Sequence, residues 1–182
     1  MSANYWEEKP DFWGNKTTGN AVYKRQKAEI VSDILKIIEA YHIKRIIDVG
    51  GYKGELGQLL PNGVEYINID FTTGVDITKP WFGQKGMKTF SKRKNTLALT
   101  SLVLIALSPE EAAATVEQMK KYSDMQYFFE EQLLSGEPEE KISNAYGGKW
   151  LHDLTKFTDE ISGIRQSEVN PHWIRVLNGG YL

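Results

Sequence analysis

The chain has 182 residues, of which 41% are hydrophobic and 25% charged, and its formal net charge is −2. That balance predicts one globular domain with a sizeable core, and it excludes a disordered profile and any global pull toward nucleic acid or an anionic membrane. Cysteine is absent, which excludes disulfides, thiolate metal sites and a cysteine nucleophile and fits a cytoplasmic protein.

Met1 to Trp13 is polar, acidic and aromatic, unlike a signal peptide. Residues 1–27 read as an N-terminal arm or cap, carrying Tyr5, Trp6, Phe12 and Trp13 and then the cationic stretch Tyr23-Lys24-Arg25-Gln26-Lys27. Residues 28–182 read as a single domain. From Ala28 to Tyr41 the apolar residues fall on one helical face, through Ile30, Val31, Ile34, Leu35, Ile37 and Ile38. Lys44 to Val49 is a short β-branched run that stops at Gly50-Gly51, a buried strand entering a tight turn. Leu56, Leu59 and Leu60 predict a helix that Pro61-Asn62-Gly63 ends. Val64 to Asp70 alternates as a second strand, and Phe71 to Trp81 is a loop.

Met87 to Phe90 is a weak strand candidate, and Leu97 to Leu102 a firmer one. The run Leu97 to Leu107 is too short to span a bilayer, which takes about 20 residues. Ser108-Pro109-Glu110-Glu111 opens a helix with a capping serine, a proline at the first position and acids where the helix dipole favours them. That helix extends to about Tyr122. Met125 to Phe129 is a strand and residues 132–148 a long loop. Lys149 to Phe157 reads as helical, and Ile161–Val169 with Trp173–Leu177 as a closing strand pair. Alternation of this kind predicts an α/β fold, a Rossmann-like three-layer sandwich with a mainly parallel sheet and an antiparallel closing strand. Ligands of such sheets sit beyond the carboxyl ends of the strands.

Functional residues should therefore follow strands. Asp48-Val49-Gly50-Gly51-Tyr52-Lys53-Gly54 ends the first strand, and glycine there lets the backbone approach a ligand. The spacing fits neither the G-x-G-x-x-G dinucleotide fingerprint nor a P-loop. An acid directly before the glycines suits a cationic amino group and a sulfonium better than a pyrophosphate. Asp70 ends the second strand, where an acid commonly accepts from ribose hydroxyls. Asp76 lies in the next loop, placed to accept from an adenine amino group while Ile77 packs on the ring. Each aspartate alone has an ordinary reading as helix cap, strand-end acid or turn residue. Their joint spacing is what points to a site.

The stretch Ile46 to Trp81 resembles motifs I to III of class I S-adenosylmethionine (SAM)-dependent methyltransferases, and the resemblance extends through Asn95 to Met119 and covers roughly residues 28–131. It implies SAM as cofactor. Asp48, Gly50, Gly51, Tyr52 and Gly54 would hold the methionyl part, Asp70 the ribose, and Asp76 with Ile77 the adenine. Thr100, Ser101 and Leu102 would line the sulfonium. The middle glycine of the usual motif is Tyr52 here, and the acid that often opens the fourth strand is Asn95.

Methyl transfer from a sulfonium needs mainly an acceptor held in line with the methyl group in a desolvated site. The two carboxylates of Phe128-Phe129-Glu130-Glu131 end a strand, and the stretch Asn144 to Asp153 has the glycines, aromatics and imidazole of a substrate loop. His152 is the candidate base, partnered by Asp153 or Glu131. The competing reading has His152 and Trp150 anchoring that loop to the core. His172 is a weaker candidate, and the histidines show no metal-ligand spacing, so no metal is expected. The expected acceptor is a small molecule. A SAM-binding partner subunit without transferase activity, a nucleotide- or NAD-binding oxidoreductase, and an RNA-modifying enzyme using the Lys24–Lys27 cations are the alternatives.

Overall fold

Arg45–Val49 forms β1, and every one of its residues is buried, as in a central strand covered on both faces. The computed structural model describes residues 21–85, 87, 94–131, 141–143, 149–159 and 163–182. β1 lies between β2 (Glu65–Ile69) and β3 (Thr96–Ser101), with β4 (Met125–Glu131) beyond β3, all parallel. β8 (Trp173–Asn178) runs antiparallel to β4, and β7 (Ile164–Gln166) antiparallel to β8, giving the order β2-β1-β3-β4-β8-β7. The chain leaves β1 toward β2 and returns to β3 on β1's other side. That reversal opens a crevice at the carboxyl ends of β1 and β3. β5 (Lys141–Ser143) and β6 (Lys149–Trp150) make a separate antiparallel pair.

Helix α1 (Ala21–Tyr41) buries Ile30, Ile34 and Ile37 on one sheet face, against Ile46, Leu97, Leu99, Tyr127 and Phe129. Helix α2 (Pro109–Tyr122) buries Ala112, Val116 and Met119 on the other, against Ile47, Val49, Ala98 and Phe128. The result is the expected three-layer α/β/α sandwich with a mainly parallel sheet. Ser108 caps α2 as its sequence predicts, accepting from the Glu111 N–H while the Glu111 carboxylate accepts from the Ser108 N–H. No helix among the described residues is long and apolar enough to cross a membrane.

Several elements differ from expectation. α1 is helical from Ala21, not Ala28; its buried stripe includes a polar residue, Gln26, which hydropathy does not count. The segment after the glycine turn is a short 3-10 turn, Glu55–Leu59. Gly57 and Pro61 leave too little uninterrupted chain for an α-helix. Lys149–Phe157 is not helical. It comprises β6 and a 3-10 turn at Leu154–Phe157, whose start is capped by Asp153 through the Thr155 N–H. Met87 is irregular, and the rest of that weak strand candidate, residues 88–90, lies outside the described residues. So do the arm aromatics Tyr5, Trp6, Phe12 and Trp13, and residues 132–140 and 144–148 of the long loop.

Candidate functional site

At the carboxyl edge of β1, β2 and β3 lies a cleft of about 790 Å3, within the usual range for small-molecule sites. Its floor is the glycine turn. Gly50 adopts φ 74°, and a Cβ there would lie 2.6 Å from a Val103 methyl. A Cβ on Gly51 would lie 2.5 Å from Asp48 Oδ2. Tyr52 takes a left-handed φ of 48°, which costs a non-glycine residue. Its peptide groups are clamped: the N–H donates to Asp70 Oδ2 at 3.2 Å, and the carbonyl accepts from Asn68 Nδ2 at 2.6 Å and Thr72 Oγ1 at 2.9 Å.

Asp48 is buried, and its Oδ2 accepts from the Tyr66 hydroxyl at 2.6 Å. Burial pushes its carboxyl up to about 6, the Tyr66 hydrogen bond resists the rise, and the nearby Asp70 charge adds to it. Burial and the Asp48 charge in turn raise the Tyr66 hydroxyl. Asp70 closes β2. Its Oδ1 accepts from the Thr72 N–H at 2.8 Å, and Thr73 completes a capping box around the following 3-10 turn. Asp76 stands at the outer rim, its Oδ1 accepting from Thr78 and its Oδ2 paired with Lys79 at 2.9 Å. Partial burial pushes its carboxyl upward, but the Thr78 and Lys79 bonds outweigh it and leave the group lowered.

The loop bearing Asp76 and Ile77 is pinned by Trp81. That side chain is fully buried, stacks on Tyr122 and donates from Nε1 to the Ile77 carbonyl at 3.1 Å. The Trp81 N–H reaches Gln118 on α2. Gln84 accepts from the Asp76 N–H and donates back to its carbonyl.

Asp48, Gly50, Gly51, Tyr52, Asp70, Asp76, Ile77, Ser101 and Leu102 therefore meet in one cleft. Gly54 and Thr100 are not among its lining residues. Gly54 underlies the turn, against Tyr66 and Asn68. Thr100 is buried between Leu99 and Ser101, which line the cleft, so strand alternation turns it to the α2 face. Glu131 and His152 do not line the cleft either. His152 is 1% exposed behind the turn that follows β3, with Nε2 at 2.8 Å from the Leu104 carbonyl and 3.1 Å from that of Leu107. His172 is exposed at the start of β8 and is also absent from the cleft lining.

The structure also distinguishes between the two carboxylates that end β4. Glu130, not Glu131, is the fully buried carboxylate of β4, and it accepts from the N–H groups of Val103 at 3.1 Å and Leu104 at 3.2 Å. Burial pushes its carboxyl up to about 7, against the pull of the Thr100 hydroxyl and those N–H groups. Glu130 thus holds the turn that presents Val103, Ala106 and Leu107 to the cleft. Lys24, Gln26, Lys27 and Ile30 line the opposite wall from α1.

No family model matches the sequence, and no curated relative matches it. Solved structures match its fold. The N-terminal domain of EvdMO1 with S-adenosylhomocysteine (SAH) bound superposes with a TM-score of 0.55 at 11% identity, over 81% of this chain and 78% of that one. The DhpI–SAH complex gives 0.53 at 10% identity, over 96% and 92%. Magnesium protoporphyrin IX methyltransferase ChlM from Synechocystis PCC 6803, with bound SAH, gives 0.53 at 11%, over 96% and 93%.

The chain has the class I methyltransferase fold.

After β1 the chain forms the 3-10 turn Glu55–Leu59, which leaves Leu59 55% exposed beside the cleft. The antiparallel β8 and β7 close the sheet beside β4.

Proposed function

We propose that the chain binds SAM in this cleft and transfers its methyl group to a small-molecule acceptor. The observation that carries the reading is the meeting of Asp48, the Gly50–Tyr52 turn, Asp70 and the Asp76–Ile77 pair in one cleft at the carboxyl ends of β1 and β2. Their donor and acceptor capacity fits the cofactor. Asp48 commits one oxygen to Tyr66, leaving the other for a cationic group. Asp70 accepts one N–H on each oxygen, and a carboxylate has about four acceptor sites, so two stay available for ribose hydroxyls. Asp76 Oδ2, shared with Lys79, faces the place for an adenine amino group, with Ile77 beside it. The close packing at Gly50 and Gly51 lets the backbone itself form the floor.

SAM supplies an activated methyl group on a sulfonium. The protein's share is to orient and to exclude water: Leu99, Leu102 and Val103 form an apolar wall beside Ser101, and Glu130 fixes the turn behind it. The described lining contains no histidine. His152, with Nε2 against the Leu104 and Leu107 carbonyls, braces the turn behind the cleft. A thermal-shift panel followed by turnover tests the reading. SAM and SAH should raise the melting temperature and NAD should not, and SAH should accumulate in the presence of a suitable acceptor. Stabilisation by NAD alone would overturn it. SAM binding without transfer to any acceptor of a broad panel would favour the partner-subunit alternative.

A further inference from the structure

The buried stripe of α1 continues past its apolar residues. Ile30, Ile34 and Ile37 are buried against Ile46, Leu97 and Leu99. One turn earlier on the same face stands Gln26, which is only 5% exposed. Its Oε1 is buried without a hydrogen-bond partner, and the residue lines the cleft. An unpaired buried carbonyl is costly, and a ligand donor would relieve it.

Asp48 lines the same cleft from the sheet. α1 ends just before β1 begins, so its amino-terminal turns lie at the carboxyl edge of the strands. Gln26 and Asp48 both line the cleft, one from the helix and one from the sheet, and both present oxygen acceptors.

We propose that Gln26 is a selectivity residue for the amino-acid chain of the cofactor, its carbonyl accepting from the α-ammonium group that the Asp48 carboxylate neutralises. This rests on the SAM reading above. An ammonium group carries three donors and a positive charge, which suits a position between a carboxylate and an amide carbonyl. A carboxylate placed there would meet two acceptors. Gln26 belongs to the helix before β1, outside the glycine turn and the acids that follow the strands.

Equilibrium titration of wild type, Gln26→Leu and Gln26→Glu with two ligands tests this. SAH carries the amino-acid chain, whereas 5′-methylthioadenosine has the same adenine, ribose and sulfur without it. Gln26→Leu should weaken SAH by about tenfold or more and leave 5′-methylthioadenosine within about twofold. Gln26→Glu, which keeps an acceptor and adds a negative charge, should bind SAH at least as tightly as wild type. Unchanged SAH affinity in the leucine variant overturns the proposal. So does equal weakening of both ligands, or a glutamate variant weaker for SAH than the leucine variant. A wild-type protein that binds neither ligand overturns the SAM reading itself, and this assignment with it.

Discussion

Two buried acids, Asp48 and Glu130, are held above the usual carboxylate range, at about 6 and about 7. For such groups the folded state takes up its proton at a higher pH than the unfolded chain. Their contribution is neutral below the unfolded values of 3.8 and 4.5, turns unfavourable as pH rises through the window, and stays so above the folded values. Urea unfolding of Asp48→Asn and Glu130→Gln should show each variant gaining on wild type as pH rises, from 4 to 6 for the first and from about 4.5 to about 7 for the second. A pH-independent difference would contradict the assignment. Asp48 lines the cleft, and on the proposed SAM reading binding of a cation should draw it to the charged form. SAH affinity should accordingly fall below about pH 6 in wild type and much less in Asp48→Asn, measured by calorimetric titration across pH. His152 belongs to a different class of residue. His152→Ala removes the imidazole from the Leu104 and Leu107 carbonyls and should lower the melting temperature by about 3–10 °C.

Asp48, Asp70, Gly50 and Gly51 could be expected in one cleft because each follows or ends a strand; Gly54 underlies the turn instead. Tyr66 and Asn68, which hold the turn from β2, look like ordinary strand residues until the turn folds over them. Glu130 and Glu131 are adjacent in β4 and therefore point to opposite faces. The sequence holds no register that says which carboxylate is buried. Gln26 reads as part of a cationic stretch, and only the position of α1 against β1 turns it toward the cleft.

The strands of the six-stranded sheet and α2 followed from pattern and caps, whereas β5, β6 and the connections did not. The loop from Phe71 to Lys85 has no periodicity, and its conformation comes from tertiary anchors: Trp81 in the core, Gln118 from α2 and the Gln84 amide. The same loop presents Asp76 and Ile77. Trp81→Ala should cost about 3–5 kcal/mol of stability and weaken binding of the adenine end. Melting curves together with 5′-methylthioadenosine affinity check both effects, and unchanged nucleoside affinity would separate the loop from the site. The Lys149–Phe157 segment was misread as helix because Trp150, Leu151, Leu154 and Phe157 have near-helical spacing. Asp153 capping a separate short turn breaks that run.

At the scale of the molecule, α1 is tied to the closing strands by a buried ionic network. Arg175 on β8 lies 3.1 Å from Asp33 and 3.3 Å from Glu29, and the Tyr127 hydroxyl donates to Asp33 at 2.7 Å. The helix that carries Gln26 is thus fixed to the far side of the sheet. Asp33→Ala leaves the Arg175 charge buried with one partner fewer and should cost about 3 kcal/mol or more, read from the urea midpoint. The three-layer order itself was legible in the alternation of strand and helix signals. The cleft follows from the reversal between β2 and β3. The most direct test of the central claim is calorimetric titration of the wild-type protein and Asp70→Ala with SAH at pH 7. Saturable one-to-one binding to wild type that weakens at least tenfold in the variant is the predicted result, and absence of binding to the folded wild-type protein, or equal affinity in the two, would contradict it.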